Sequence, residues 1–328
     1  MRSKDCLRRT DGDIKVAADL WCFDRAAAEE RYGHISEWDV SSVTGMRLLF
    51  KDKREFNDDI SRWDVSNVTN MACMFSNASA FNQYIGDWDV SKVTDMNNMF
   101  NGALVFNQPI GDWNMSNVTD MNNMFNGALV FNQPIGDWDV SKVTSMSHMF
   151  NGAIVFNQPI GDWDVSNVTS MSLMFNHAYV FNQAIGDWNM SNVTYMDSMF
   201  DHARNFNQPI DDWDVSMVTN MSRMFLDAHA FNQQIKNWNV SNVIDMNRMF
   251  WNAHSFNQSV MEWNLSNVIN MSWMFYGASS FNQDFENWDL TNITYKEKMF
   301  HRTEVWENKQ PLKRTDTYAN AFNQPFWP

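Results

Sequence analysis

The sequence predicts an α/β repeat solenoid: stacked copies with a parallel sheet of short strands on one face, short helical turns on the other, and a helical cap at the start. Three observations predict it. Tryptophan recurs every 25 residues, at Trp38, Trp63, Trp88, Trp113, Trp138, Trp163, Trp188, Trp213, Trp238, Trp263 and Trp288, so eleven copies without an insertion fill most of the 328 residues. The composition holds 25 Met, 16 Trp and 25 Phe, far too many large apolar side chains for a disordered chain. A unit of this length, with about nine apolar slots, cannot bury them alone, so copies must stack into one core.

The cap comes first in the chain. In DGDIKVAADLWCFDRAAAEERYG, Asp11 or Asp13 is a helix N-cap, Ile14, Ala17, Ala18 and Trp21 form an apolar stripe, Asp24 opens a second short helix and Gly33 ends it. Residues 1–37 are therefore assigned to the N-terminal cap, 38–300 to the array and 301–328 to an irregular C-terminal cap or partial repeat. Over that last stretch Trp306, Glu307 and Asn308 replace the Phe-Asn-Gln of the repeat, which returns only at Phe322.

Within a copy, Ile85 to Val90 (IGDWDV) reads as the strand, with Trp88 and Val90 on one face and Asp87 and Asp89 on the other. Val93, Met96, Met99, Phe100 and Ala103 follow at spacings of three and four, which predicts a short helical stripe capped by Thr94 and ended by Asn101-Gly102. Phe106, Asn107 and Gln108 return the chain to the next strand. The Trp, Met and Phe columns are expected to be core, with sulfur–aromatic packing. The column Asn82, Asn107, Asn132, Asn157, Asn182, Asn207 and Asn232 is expected to hydrogen-bond as an interior ladder.

The string VTxMxxMFxxAxxFNQxIxxWDVS, carried here by VTDMNNMFNGALVFNQPIGDWNMS from Val93, resembles the repeat of the BspA-like leucine-rich-repeat surface proteins. The likeness is greatest to their Met-Phe and Phe-Asn-Gln rich subgroup, catalogued as a domain of unknown function in mycoplasma surface lipoproteins. It covers residues 32–300, including the lead-in YGHISEWDVSSVT from Tyr32. The resemblance implies a right-handed, leucine-rich-repeat-like coil that works in adhesion or recognition at a cell surface or outside the cell, with no catalytic residues to carry over.

The formal net charge of −15 is concentrated in the array. Residues 1–37 carry 7 basic and 8 acidic groups and residues 296–328 carry 6 and 4, which leaves 11 basic and 27 acidic between them. Half of those acids occupy the slots just before and just after Trp, both expected to point outward. The densest run, Asp87, Asp89, Asp112, Asp137, Asp139, Asp162, Asp164, Asp187, Asp212 and Asp214, is the candidate binding face. Like charges on neighbouring copies should raise some carboxylate pKa values and attract cations or a basic partner.

The expected partner is a protein or a cationic surface ligand. An acidic field argues against nucleic acid, which needs a basic patch. No apolar run is long enough to insert into a membrane, the N-terminal stretch has no apolar signal core, and a monomer is expected. No cofactor, metal or catalytic residue is assigned. Cys6, Cys22 and Cys73 lack metal spacing, no phosphate loop or nucleophile elbow occurs, and His177 and His202, sharing a slot, should stack as surface residues beside the similar pair His229 and His254. The chain thus reads as a non-catalytic recognition scaffold. The alternative is a regular array for divalent cations, or for ice or mineral, the latter through the column Thr69, Thr94, Thr119, Thr144, Thr169, Thr194 and Thr219.

Overall fold

A computed structural model describes residues 7–285 and 287–303. The chain divides into two compact units, Met1–Asp164 and Val165–Pro328. Apart from 301–303, the C-terminal cap or partial repeat expected over 301–328 lies outside the described residues, as does Cys6.

The first unit opens with helices α1 (Ile14–Phe23) and α2 (Arg25–Tyr32) and a short 3-10 turn, Ile35–Glu37. Ile14, Ala17, Ala18 and Trp21 form the buried face of α1, as their spacing predicts. The Asp24 carboxylate accepts the Ala27 N–H at 3.0 Å to start α2, and Gly33, at φ 76°, ends it.

After the cap, each 25-residue copy is one rung made almost wholly of turns. In the copy around Trp88, backbone bonds close over three residues from Trp88 to Ile85, Val93 to Val90, Met99 to Met96, Asn101 to Asn98, Ala103 to Phe100 and Phe106 to Ala103, all at 2.9–3.2 Å. Between these, alternate amides leave the rung. Met96, Asn98, Phe100 and Gly102 donate to the carbonyls of Asp120, Asn122, Met124 and Asn126 in the next rung. Thr94 runs the other way, donating to Thr69 in the preceding rung at 2.9 Å.

Two element assignments are therefore corrected. The predicted strand Ile85–Val90 begins with a turn at Gly86-Asp87, and the described residues contain isolated parallel bridges, such as Asp95↔Asp120, in place of extended strands. The predicted helical stripe is no helix either. Asn98 and Gly102 have φ of 55° and 69°, and half the amides bond outward to the next rung. One cause underlies both: overlapping three-residue turns bring every third or fourth side chain inward, so they reproduce the helical spacing of apolar residues. Gly86 is fixed by crowding, since a Cβ there would lie 2.6 Å from the Pro109 carbonyl oxygen.

The apolar columns pack as expected. Trp88, Met96, Met99, Phe100 and Phe106 are buried, and the Phe100 and Phe106 rings lie 4.0 Å apart. Phe100 stacks 5.6 Å from Phe125 and Phe106 stacks 6.1 Å from Phe131 in the next rung. Each buried indole also donates to the Ile carbonyl 28 residues back: Trp88 to Ile60, Trp113 to Ile85, Trp138 to Ile110 and Trp163 to Ile135, at 3.1–3.4 Å. The Asn column forms its ladder, partly buried: Asn82 Oδ1 accepts the Asn107 N–H at 2.9 Å and the Gln108 side-chain amide at 3.0 Å.

The second unit repeats this rung. Met196, Ser198, Phe200 and His202 donate to the carbonyls of Asn220, Ser222, Met224 and Leu226, and the indoles of Trp213, Trp238, Trp263 and Trp288 donate to Ile185, Ile210, Ile235 and Val260.

The cap stands in for a missing rung. The first Thr of the column, Thr44, has no earlier rung to receive its N–H, and Asp11 takes it at 2.8 Å, together with the Thr44 hydroxyl at 2.7 Å and the Gly45 N–H at 3.1 Å. Lys15 on α1 donates to the carbonyls of Leu48 and Leu49 at 2.9 and 3.1 Å. Trp38 donates its indole N–H to Gly33 in place of an Ile carbonyl. Asp13, at the N-cap position of α1, instead accepts the Thr10 N–H at 2.7 Å. The Thr44 hydroxyl and the two amides hold the Asp11 carboxyl below its ordinary value. Its stabilisation is therefore complete above that value and is lost as pH falls through the lower folded one. Replacing Asp11 with Ala should cost about 1 kcal/mol in urea unfolding, as loss of a helix cap does. Hydrogen exchange should rise first at Thr44 and Gly45.

Candidate functional site

The candidate acidic residues sit at the Trp corner of the rung. In the first unit Asp87, Asp89, Asp112, Asp137, Asp139, Asp162 and Asp164 are all exposed, and in the second so are Asp187, Asp212 and Asp214. The outward direction expected for them is found, although they flank a turn and not a strand. Indole–carbonyl bonds tie neighbouring rungs at this corner, and successive Trp rings stand 6.4 Å apart between Trp138 and Trp163.

The two slots differ in what they do. The carboxylate after Trp closes a local turn: Asp139 Oδ1 accepts the Ser141 N–H at 3.1 Å and the Ser141 hydroxyl at 2.6 Å. Asp39 and Asp64 do the same with Ser41 and Ser66. Where the slot holds Asn, as at Asn114 and Asn189, its side-chain oxygen takes the same two bonds from Ser116 and Ser191. A neutral oxygen therefore suffices there. The serine hydroxyl is the largest cause that holds the carboxyls of Asp39, Asp89, Asp139 and Asp214 below their ordinary value. That overturns, for these four, the expectation that neighbouring charge raises them.

The slot before Trp is different. Asp87 accepts the Tyr84 hydroxyl at 2.7 Å. Asp112, Asp137 and Asp162 in the first unit, and Asp187 and Asp212 in the second, make no hydrogen bond or ion pair among the described residues. Their charge serves no turn.

The Thr column faces the ladder. Thr69, Thr94 and Thr119 donate their hydroxyls to the Thr carbonyl of the preceding rung at 3.1–3.3 Å, so those protons are committed within the coil. The histidine pairs do stack, His177 on His202 at 4.3 Å and His229 on His254 at 4.8 Å. The spacing did not reveal the carboxylates that join them. His202 bonds Asp201 through Nδ1 and approaches Asp227 at 3.0 Å through Nε2, and His229 lies 3.7 Å from Asp227. Burial pushes the Asp201 carboxyl up, against the pull of His202, and burial with the neighbouring His202 pushes His177 down. The signal was present at 201 and 227, where Asp stands in columns that hold Asn at 101, 126, 151 and 176 and Gly at 102, 127 and 152. Among the described residues no three His, Cys, Asp or Glu side chains converge as metal ligands, and no helix is long and apolar enough to cross a membrane.

The family described as "Mycoplasma protein of unknown function, DUF285" matches the chain three times, over residues 21–135, 105–213 and 230–321. Among solved structures the chain is similar to a leucine-rich repeat protein from Eubacterium ventriosum, with 12% identity, 87% of this chain and 88% of that one covered, and a TM-score of 0.36. It is also similar to the functional domain of InlJ from Listeria monocytogenes, with 10% identity, 78% and 60% covered, and a TM-score of 0.22. No curated protein matches.

The Asp/Asn equivalence after Trp is open to measurement. Asp139→Asn should leave thermal stability nearly unchanged at neutral pH, whereas Asp139→Ala should cost about 0.5–1 kcal/mol by orphaning the Ser141 amide. Because the folded carboxyl titrates below its ordinary 3.8, its contribution is present above that pH and is lost as pH falls through the folded value. Melting curves from pH 2 to 7 should therefore show a smaller acid loss in the Asn variant.

Proposed function

We propose that this chain, which belongs to the family of Mycoplasma proteins of unknown function, DUF285, is a non-catalytic scaffold of stacked leucine-rich-type repeats that recognises a basic protein or cationic surface. Recognition or adhesion at a cell surface is the setting in which it would serve. One observation carries this reading. On successive rungs of the first unit, Asp112, Asp137 and Asp162 are exposed carboxylates without a partner among the described residues. The charges next to them have a turn to hold, and these have none. A row of like charges on a rigid, repeating support costs self-repulsion that a cationic ligand removes. Asp187 and Asp212 continue the slot in the second unit.

Full-length protein should bind poly-L-lysine with an affinity that falls as salt rises, because these charges are exposed and screened. Each of D112N, D137N and D162N should weaken that binding by up to about fivefold, the worth of one exposed ion pair. D139N, which keeps its turn, should weaken it no more than they do. Binding unaffected by salt, or by the three changes together, would count against this surface.

A further inference from the structure

The second unit carries a patch of the opposite sign. One slot of the rung, occupied by Asn98 and Asn123 in the first unit, holds Arg223, Arg248, Trp273 and Lys298 on four successive rungs. Backbone bonds set these rungs side by side, from Arg223 to Asn247 at 2.8 Å, Arg248 to Ser272 at 3.0 Å and Trp273 to Glu297 at 2.8 Å. Three residues past Arg248 and Trp273 the chain places Trp251 and Tyr276, and four residues past Lys298 it places Arg302.

The side chains form one assembly. The Arg248 guanidinium lies 5.0 Å from the Trp251 ring centre and 4.7 Å from that of Trp273. Trp251 stands 4.6 Å from Tyr276, and Arg302 lies 5.6 Å over Tyr276. Ring contacts orient a guanidinium and leave it charged. Arg223, Arg248 and Arg302 have no carboxylate in ion-pair range among the described residues, and Arg248 Nε is buried without a hydrogen-bond acceptor. The nearby acids are engaged: Asp201, which feels the charge of Arg223, bonds His202, Asp245 accepts the Asn247 N–H at 2.7 Å, Glu297 takes the Ser272 hydroxyl, and Asp227 faces His202 and His229. Burial and the adjacent Arg223 hold Arg248 below the usual guanidinium value, as expected of a cation lacking its anion.

We propose that the patch of Arg223, Arg248, Trp251, Trp273, Tyr276 and Arg302 binds a linear anionic polysaccharide, its carboxylate or sulfate groups on the guanidiniums and its C–H-rich pyranose edges against the half-buried rings. The charge spacing selects the ligand. Arg223 and Arg248 stand on adjoining rungs and Arg302 on the rung of Lys298, and stacked Phe rings on these rungs lie 5.3–5.5 Å apart. A nucleic acid duplex brings one phosphate about every 1.7 Å of its axis, both strands counted, which is more charge than the patch can neutralise within an acidic array. A polymer with one anion per sugar or per pair of sugars matches the interval, and an ordered row of rungs suits an ordered chain.

The test is affinity electrophoresis of the full-length protein in gels containing heparin, polygalacturonate, neutral dextran, oligo(dT) or polyglutamate. Heparin or polygalacturonate should retard it, dextran should not, and retardation should weaken with salt. R248Q should lose about tenfold in affinity, the worth of a charge-assisted hydrogen bond, and R223Q and R302Q a smaller part. K51Q, which removes an exposed cation of the first unit, should bind as the parent does. Circular dichroism shows whether R248Q folds, and if it does not, the exposed R302Q with R223Q carries the test. No retardation, equal retardation of the folded variants, or tighter binding of oligo(dT) or polyglutamate than of both polysaccharides would overturn the proposal.

Discussion

A rung built from overlapping turns cannot satisfy its own backbone. Each turn uses one amide in two, and the other amide, near the buried Met and Phe columns, must find a carbonyl elsewhere or cost a buried, unpaired donor. From Met96 to Gly102 the acceptor is the matching carbonyl of the next copy. This requirement explains the constancy of the repeat. One extra residue would move every second amide off its partner and turn inward side chains outward, and the copies from Trp38 to Trp288 carry no insertion. It also explains why both backbone signs meet side chains at the N-terminal end. Thr44 exposes an amide and receives Asp11, while Leu48 and Leu49 expose carbonyls and receive Lys15.

The side-chain ladders serve the same need at corners where backbone bonds between rungs thin out. Each Ile carbonyl at the Trp corner accepts twice, from the Trp amide of its own rung and from the indole of the next, as Ile85 does with Trp88 and Trp113. An aliphatic or Phe residue could fill the Trp volume but could not donate. At the Asn corner, one side-chain oxygen accepts both an amide and a Gln side chain from the following rung. Trp and Asn hold these slots from Trp38 and Asn57 onward, and Gln from Gln83 to Gln283, because their polar atoms complete the stack; in the first copy Asp58 stands in the Gln slot and accepts from Trp21 and Arg25 of the cap instead.

Much of this was legible in the sequence. The period gave the repeat, the apolar columns gave the core down to individual residues such as Met96 and Phe106, and Asp24 and Gly33 marked the ends of α2. Secondary structure within a rung was not, because apolar spacings of three and four are shared by a helix and by a chain of turns. Only the left-handed backbone at Asn98 and Gly102 separates them, and that slot also accepts Leu48, Cys73, His148 and Trp273, which show no preference for it. The candidate acids were located correctly as exposed, yet their two roles were not separable by composition. Asp89 and Asn114 differ in charge, whereas both are turn acceptors. The basic and aromatic patch was hidden by the net charge of the array, which averages over rungs that differ.

The left-handed slot shows where this architecture can change without losing its fold. Its φ stays between 52° and 62° whether the residue is Leu48, Asn98, Ser198, Arg248 or Lys298. Such a conformation costs a non-glycine residue about 1 kcal/mol. It persists because the ladder amide of the same residue, as from Arg248 to Ser272, holds it in place. The backbone is thus set by its neighbours in each unit, and the side chain is released from any part in setting it. A position held rigid by the ladder and free in identity can present asparagine, histidine, arginine or tryptophan on successive rungs at a fixed interval. The slot before Trp has the same freedom, being Arg62, Asp87, Asn237 or Glu262 in different copies. Opposite charges on the two units, at different slots, follow from that freedom: the ladder supplies the spacing, and the unconstrained side chains supply the chemistry.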